Sequence, residues 1–115
     1  MELTGVTGLI SCPCCGECHL DQRFVTAIEL LAKSFGPLHS NSMFRCEKHD
    51  AELPGSAKHS CHLTGQAADI AMPKANQATF IIAARACGFK GFGIGSDFVH
   101  IDVRDVPATW TYPNK

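Results

Sequence analysis

No stretch of this 115-residue chain is apolar for long enough to cross a bilayer, which excludes a transmembrane helix and leaves no reason to expect a membrane partner. There is no lysine or arginine block and no basic stripe, and the formal net charge is −1. Nucleic acid therefore has no electrostatic footprint to bind, and none is expected as a partner. The opening MELTGVTGLISCPCC has neither a basic n-region nor a proper apolar h-region. No secretory signal is read there, so the chain is expected to be cytoplasmic as synthesised. Internal repeats and linkers are missing too, and the only Trp and Tyr lie in the tail after Pro107.

What is present reads as one globular domain, 1–115, with a Cys-rich segment over 1–20 and a core over 21–115. Asp21 is placed to cap a helix running to about Phe35. Phe24, Ile28, Leu31 and Phe35 fall at steps of four, three and four on one face of it, and Gly36-Pro37 ends it. His39 to Phe44 reads as extended, Cys46 to Leu53 as a helical turn broken by Pro54-Gly55, and Gln66 to Met72 as a short strand. A second helix is predicted over Lys74 to Cys87, with Ala78, Ile81, Ile82 and Arg85 at helical spacing and Gly88 at its stop. GFKGFGIG precedes no helix, so it predicts a turn and a close approach of strands rather than a phosphate loop. FVHIDVRD alternates: Val99, Ile101 and Val103 point to a core, while His100, Asp102 and Arg104 point to a polar cleft or solvent. The order of elements predicts an α+β fold, a small and mostly antiparallel sheet with packed helices.

Seven cysteines are many for this length, and their odd number argues against complete internal pairing. Without an export signal, reduced thiols or metal binding come before a disulfide framework. Cys15-x-x-Cys18 has metal-knuckle or redox spacing. A second, structural metal would draw on Cys12, Cys15 and Cys18, with His19 or Cys46 as the fourth ligand. No second C-x-x-C follows downstream, so free thiols are the expectation and one metal site, not two.

The sharpest signal is HLTGQAADIAM, residues 62–72. Asp69 stands inside an apolar run, and a carboxylate taken out of water there is costly unless a positive charge meets it. Pairing with Arg45 or Arg85 is one answer, and buried charges are commonly paired in that way. A divalent ion is another. His62, Asp69 and His100 together make two imidazoles and a carboxylate, a donor set that suits catalytic zinc and suits calcium or magnesium poorly.

Ser60-Cys61-His62-Leu63-Thr64-Gly65-Gln66-Ala67-Ala68-Asp69 resembles the S-x-H-x-x-G-x-A-x-D motif of the zinc D-alanyl-D-alanine carboxypeptidase family. That family also contains peptidoglycan endopeptidases and shares its fold with the Hedgehog signalling domain. Ser42-Met43-Phe44-Arg45 resembles its S-G-Y-R segment. Phe98-Val99-His100-Ile101-Asp102-Val103-Arg104, followed by Trp110, resembles its closing F-V-H-x-D-x-R…W segment. The likeness runs from about Phe24 to Trp110, and the chain looks like the compact members of the family, phage-encoded ones among them.

The resemblance implies a Hedgehog/DD-peptidase-like fold and one zinc ion on His62, Asp69 and His100. It implies that Arg45 stabilises the oxyanion or holds a substrate carboxylate, that Ser60 lines the substrate site, and that Asp97, three residues before His100, is the general base. Three positions depart from the family pattern: Phe44 replaces a Tyr, Asp50 stands where many members have Asn, and Phe98 stands where some have a His. Asp102 and Arg104 share the face of His100, either as support for it or as an exposed ion pair. The implied activity is hydrolysis of peptidoglycan peptide bonds by a monomeric zinc metallopeptidase, in the manner of a phage endolysin. Such an enzyme would reach the cell wall after lysis, through holin release or by virion delivery. The alternative on the same fold is a non-catalytic, zinc-stabilised binding or assembly domain.

Overall fold

The computed structural model describes residues 3–10, 20–43 and 65–112. In these, six strands form one sheet and two helices cover its apolar face: β1 (Val6–Gly8), α1 (Gln22–Phe35), β2 (Leu38–Ser42), β3 (Ala67–Ala71), α2 (Gln77–Ala86), β4 (Gly91–Ile94), β5 (Phe98–Asp102) and β6 (Ala108–Thr111). A single 3₁₀ turn, Lys74–Asn76, leads into α2. The strand order is β1-β2-β3-β5-β4-β6. The three central ladders are antiparallel, and the outer pairs β1/β2 and β4/β6 are parallel. This is the α+β, mostly antiparallel architecture that the element order predicts.

Helix α1 forms as its sequence dictates. The Asp21 carboxylate accepts from the Arg23 backbone N–H at 2.8 Å, and Phe24, Ala27, Ile28, Leu31 and Ala32 are buried along one stripe. Each large side chain so buried contributes about 1.5–3 kcal/mol. Phe24 meets Phe89 edge-on at 6.1 Å, and Phe35 meets Phe80 at 5.3 Å. These rings join the two helices to Ala68, Ile70, Phe92, Val99 and Ile101 in one core.

The buried face of α2 differs from the expected one. Gln77, Phe80 and Ala84 turn inward and Ile81 packs against the core partly buried, whereas Ala78 and Arg85 are exposed and Ile82 is 70% exposed. The cause is Gln77. Its amide nitrogen lies 3.2 Å from the Met72 carbonyl, 2.9 Å from that of Gly95 and 3.5 Å from that of Phe98. Anchored there, the helix presents the 77/80/84 face and places the Phe80 ring in the core. β1 is a further departure from the sequence reading, which sets the Cys-rich segment 1–20 apart from the core. Leu3, Val6 and Ile10 are buried, and Ser40 ties the segment down by donating its hydroxyl to the Leu9 carbonyl at 2.6 Å. The helical turn expected over Cys46 to Leu53 lies outside the described residues.

Strand β5 alternates as predicted. Val99 and Ile101 enter the core, and Phe98, His100 and Asp102 take the opposite face. The glycine-rich stretch supplies the close strand approach. Gly91 is in register with Asp102, and Gly93 lies between His100 on β5 and Trp110 on β6. A Cβ on Gly91 would fall inside the Asp102 carboxylate, and one on Gly93 would come 2.6 Å from the Trp110 indole nitrogen. The bare backbone of β4 is the floor on which these side chains lie.

Candidate active site

The β3–β5 ladder puts Asp69 directly opposite His100. Ala68 and Ile70 are fully buried on the core side, and Asp69 projects from the other, with a side chain 21% exposed. Its Oδ1 lies 3.0 Å from Nδ1 of His100. β2 contributes through an irregularity: Ser40 is in register with Ile70, but Ser42 is in register with Asp69. An extra residue in the strand, Asn41, brings Ser42 to the site's side of the sheet, as bulges beside functional sites commonly do.

The far nitrogen of the imidazole is taken. His100 Nε2 donates to Oδ2 of Asp102 at 2.7 Å, and Asp102 is fully buried. Arg104 grips the same carboxylate: its backbone N–H and Nε donate to Oδ1 at 3.2 and 2.8 Å, and its Nη2 donates to Oδ2 at 2.7 Å. Four donors therefore fill the roughly four lone-pair sites a carboxylate offers. Burial pushes the Asp102 carboxyl up. The hydrogen bonds from Arg104 and His100 outweigh that and hold it far below the usual carboxylate range, so it is ionised at neutral pH. Burial pushes the His100 imidazole down, and the hydrogen bonds to Asp102 and Asp69 overcome this and raise it above its ordinary value. The exposed ion pair offered by the sequence as a reading of Asp102 and Arg104 is thus corrected.

With its Nε2 proton committed to Asp102, a neutral His100 turns an Nδ1 lone pair toward Asp69. Two acceptors 3.0 Å apart repel unless a cation lies between them. A proton satisfies both by making His100 an imidazolium, and so does a metal ion. An imidazole nitrogen and a carboxylate oxygen, with the other ring nitrogen hydrogen-bonded to a second carboxylate, are donors that fit zinc. Among the described residues no third His, Cys, Asp or Glu joins them in a metal-binding group, and His62 lies outside the described residues. Arg85 is not the partner of Asp69. Its guanidinium lies over the ring of Phe92, 5.0 Å from the centroid, and Phe92 belongs to the core.

Asp97 is exposed in the turn joining β4 to β5. Its backbone carbonyl accepts from Met72 N–H at 2.9 Å. Beside His100 stands a row of half-buried rings. Trp110 is 5.2 Å from the imidazole and 6.4 Å from Tyr112, which is 5.3 Å from Phe98. Arg104 lies over Trp110 at 4.7 Å. Sequence reading placed Asp102 and Arg104 on this face but missed Ser42 as a neighbour of Asp69. Only a strand register carries that signal. Arg45, Ser60, Cys12, Cys15, Cys18 and Cys46 lie outside the described residues.

None of the curated proteins compared with the chain matches it. A family model does, that of peptidase M15, over residues 5–102. The match takes in β1 to β5, and with them Asp69 and His100. The six-stranded α+β sheet with two helices is consistent with a Hedgehog/DD-peptidase-like fold. On a match that spans most of its length, the chain belongs to the peptidase M15 family of zinc peptidases.

Proposed function

We propose that this metallopeptidase hydrolyses peptide bonds of peptidoglycan, as a D,D-carboxypeptidase or an endopeptidase, with His62, Asp69 and His100 holding a single zinc ion. The observation that carries the reading is the Asp69–His100 pair at 3.0 Å, with the remaining ring nitrogen committed to Asp102. It is supported by the family match and by the likeness of residues 60–69 to the carboxypeptidase motif. Zinc held there would supply Lewis-acid chemistry, acidifying a bound water and polarising the scissile carbonyl.

The other roles fall to side chains of the chain. Asp97 accepts the proton of the attacking water and returns it to the leaving amine. Arg45 steadies the developing oxyanion or grips a substrate carboxylate with its planar fork. Ser60 lines the substrate site. The 1–115 domain acts as a monomer, and the cysteines at 12, 15, 18 and 46 stay outside the reaction. Its nearest functional model is a phage lysis enzyme that meets the wall after lysis, holin release or virion delivery. No described helix is long and apolar enough to cross a membrane.

Mass spectrometry of purified peptidoglycan digested with the protein, with and without a chelator, tests the proposal. Chelator-sensitive release of one defined peptide is expected and identifies the bond. Absence of cleavage by folded, zinc-loaded protein, across walls of several chemotypes, would favour a non-catalytic binding domain instead.

A further inference from the structure

We propose that Asp102 is a positioning residue for the metal centre: clamped by Arg104 over Trp110, it fixes His100 as the Nε2–H tautomer with Nδ1 aimed at the metal. The inference rests on the reading of Asp69 and His100 as metal ligands and goes beyond it to the groups behind them.

The geometry has few other uses. A carboxylate with four donors on it has no lone pair left for substrate, metal or a proton in flight. Nor does the arrangement read as a stability device. Buried ion pairs are commonly no more stabilising than apolar residues of the same volume. Yet the fold keeps β4 bare at Gly91 so that the carboxylate fits. What the arrangement does secure is direction. Arg104 reaches both oxygens of Asp102, which sets the plane of the carboxylate. Oδ2 in that plane accepts from Nε2 at 2.7 Å, which sets the tautomer. Trp110, resting above Gly93, packs on the imidazole at 5.2 Å and on the guanidinium at 4.7 Å, so one ring restrains both ends of the relay. Nδ1 is then aimed at Asp69 before any ion arrives, and a bound ion would replace the proton held between them. Outer partners of this kind raise ligand basicity and remove the reorientation that binding would otherwise require.

The test is zinc affinity of the full chain by competition with a chromophoric chelator, for wild type, Asp102→Asn, Arg104→Gln and Arg104→Lys. Thermal unfolding of the metal-stripped proteins is read alongside, together with the absorption spectrum after cobalt substitution. Asp102→Asn is expected to weaken zinc binding by about 10–100-fold and to alter the cobalt spectrum. Arg104→Gln should weaken it by about 10-fold, the lower end of that range, and Arg104→Lys by less, because the charge remains while the fork is lost. Arg104 is one-third exposed, so its variants decide the matter if Asp102→Asn does not fold. Variants that lose thermal stability yet bind zinc like wild type would overturn the proposal and leave the metal reading standing. A folded wild-type chain that takes up no zinc would overturn the metal reading, and this inference with it.

Discussion

Asp69 and His100 face each other across the β3–β5 ladder, carboxylate oxygen to Nδ1 at 3.0 Å, while Asp102 holds the opposite nitrogen of the same ring. The two carboxylates on His100 are unequal. Asp102 is fully buried and its acceptor sites are filled, whereas Asp69 retains 21% exposure on the open side. In the proposed metal site that asymmetry favours Asp69 for the metal-facing role and Asp102 for the supporting one.

Asp69→Asn should therefore be the more damaging change for metal binding. The amide keeps the size of the side chain but removes its charge and one acceptor oxygen. Zinc affinity is expected to fall by more than about 100-fold, beyond the range of an outer partner, with the far-UV circular dichroism unchanged. Titration against a competing chelator measures it. Wild-type affinity in this variant would remove Asp69 from the ligand set.

Gly91→Ala tests the floor of the site. The added Cβ meets the Asp102 carboxylate, which is held on its other sides by Arg104 and His100 and has nowhere to move. Overpacking of this kind costs about 1–3 kcal/mol. Urea denaturation of the metal-stripped protein should show that loss, and zinc affinity should fall with it. An unchanged midpoint would mean that β4 can slide away from β5.

Much of this arrangement was legible in the chain itself. The 4-3-4 spacing of Phe24, Ile28, Leu31 and Phe35, with Asp21 before it, specifies α1 because cap and stripe are local features. Alternation in FVHIDVRD puts His100, Asp102 and Arg104 on one face for the same reason. The complete burial of Asp102 was not legible. It depends on Gly91 of β4 in register beside it and on Arg104, itself stacked on Trp110 of β6. β1 escaped notice because its three residues are held by parallel pairing with β2, some thirty residues away. The face of α2 was misread because an apolar pattern alone favours Ile82. The hydrogen bonds of Gln77 to the carbonyls of Met72 and Gly95, with that of Phe98 at 3.5 Å, decide the rotation instead.

Gln77 is accordingly a sensitive position on a different element from the proposed metal ligands. Gln77→Leu keeps roughly the volume and removes the amide donor from the carbonyls of Met72 and Gly95, the latter bordering the turn that carries Asp97, while the Phe98 carbonyl keeps its bond from the Gly95 N–H. Each buried polar group left unpaired costs about 1–3 kcal/mol. A loss of at least that size is expected in urea denaturation. Hydrolysis should slow through kcat more than through KM if Asp97 is the base. A stability change within about 0.5 kcal/mol, typical of an inconsequential surface substitution, would show that water replaces the amide.

The cap of α1 gives the protein a pH dependence whose sign follows from Asp21. The hydrogen bond from the Arg23 backbone N–H holds the Asp21 carboxyl below its ordinary value, with smaller help from Gln66 and against a slight burial penalty. The folded state therefore binds this proton less readily than the unfolded state, whose Asp titrates near about 3.9. The cap's contribution is complete above that value and fades as pH falls through the lowered folded one. Asp21→Ala should cost about 1 kcal/mol at neutral pH. The gap between variant and wild type should narrow below about pH 4. Chemical denaturation of the metal-stripped pair at neutral pH and near pH 3 reads both values. A gap that stays constant across that range would mean that the capping oxygen acts equally well when protonated and that its charge contributes nothing.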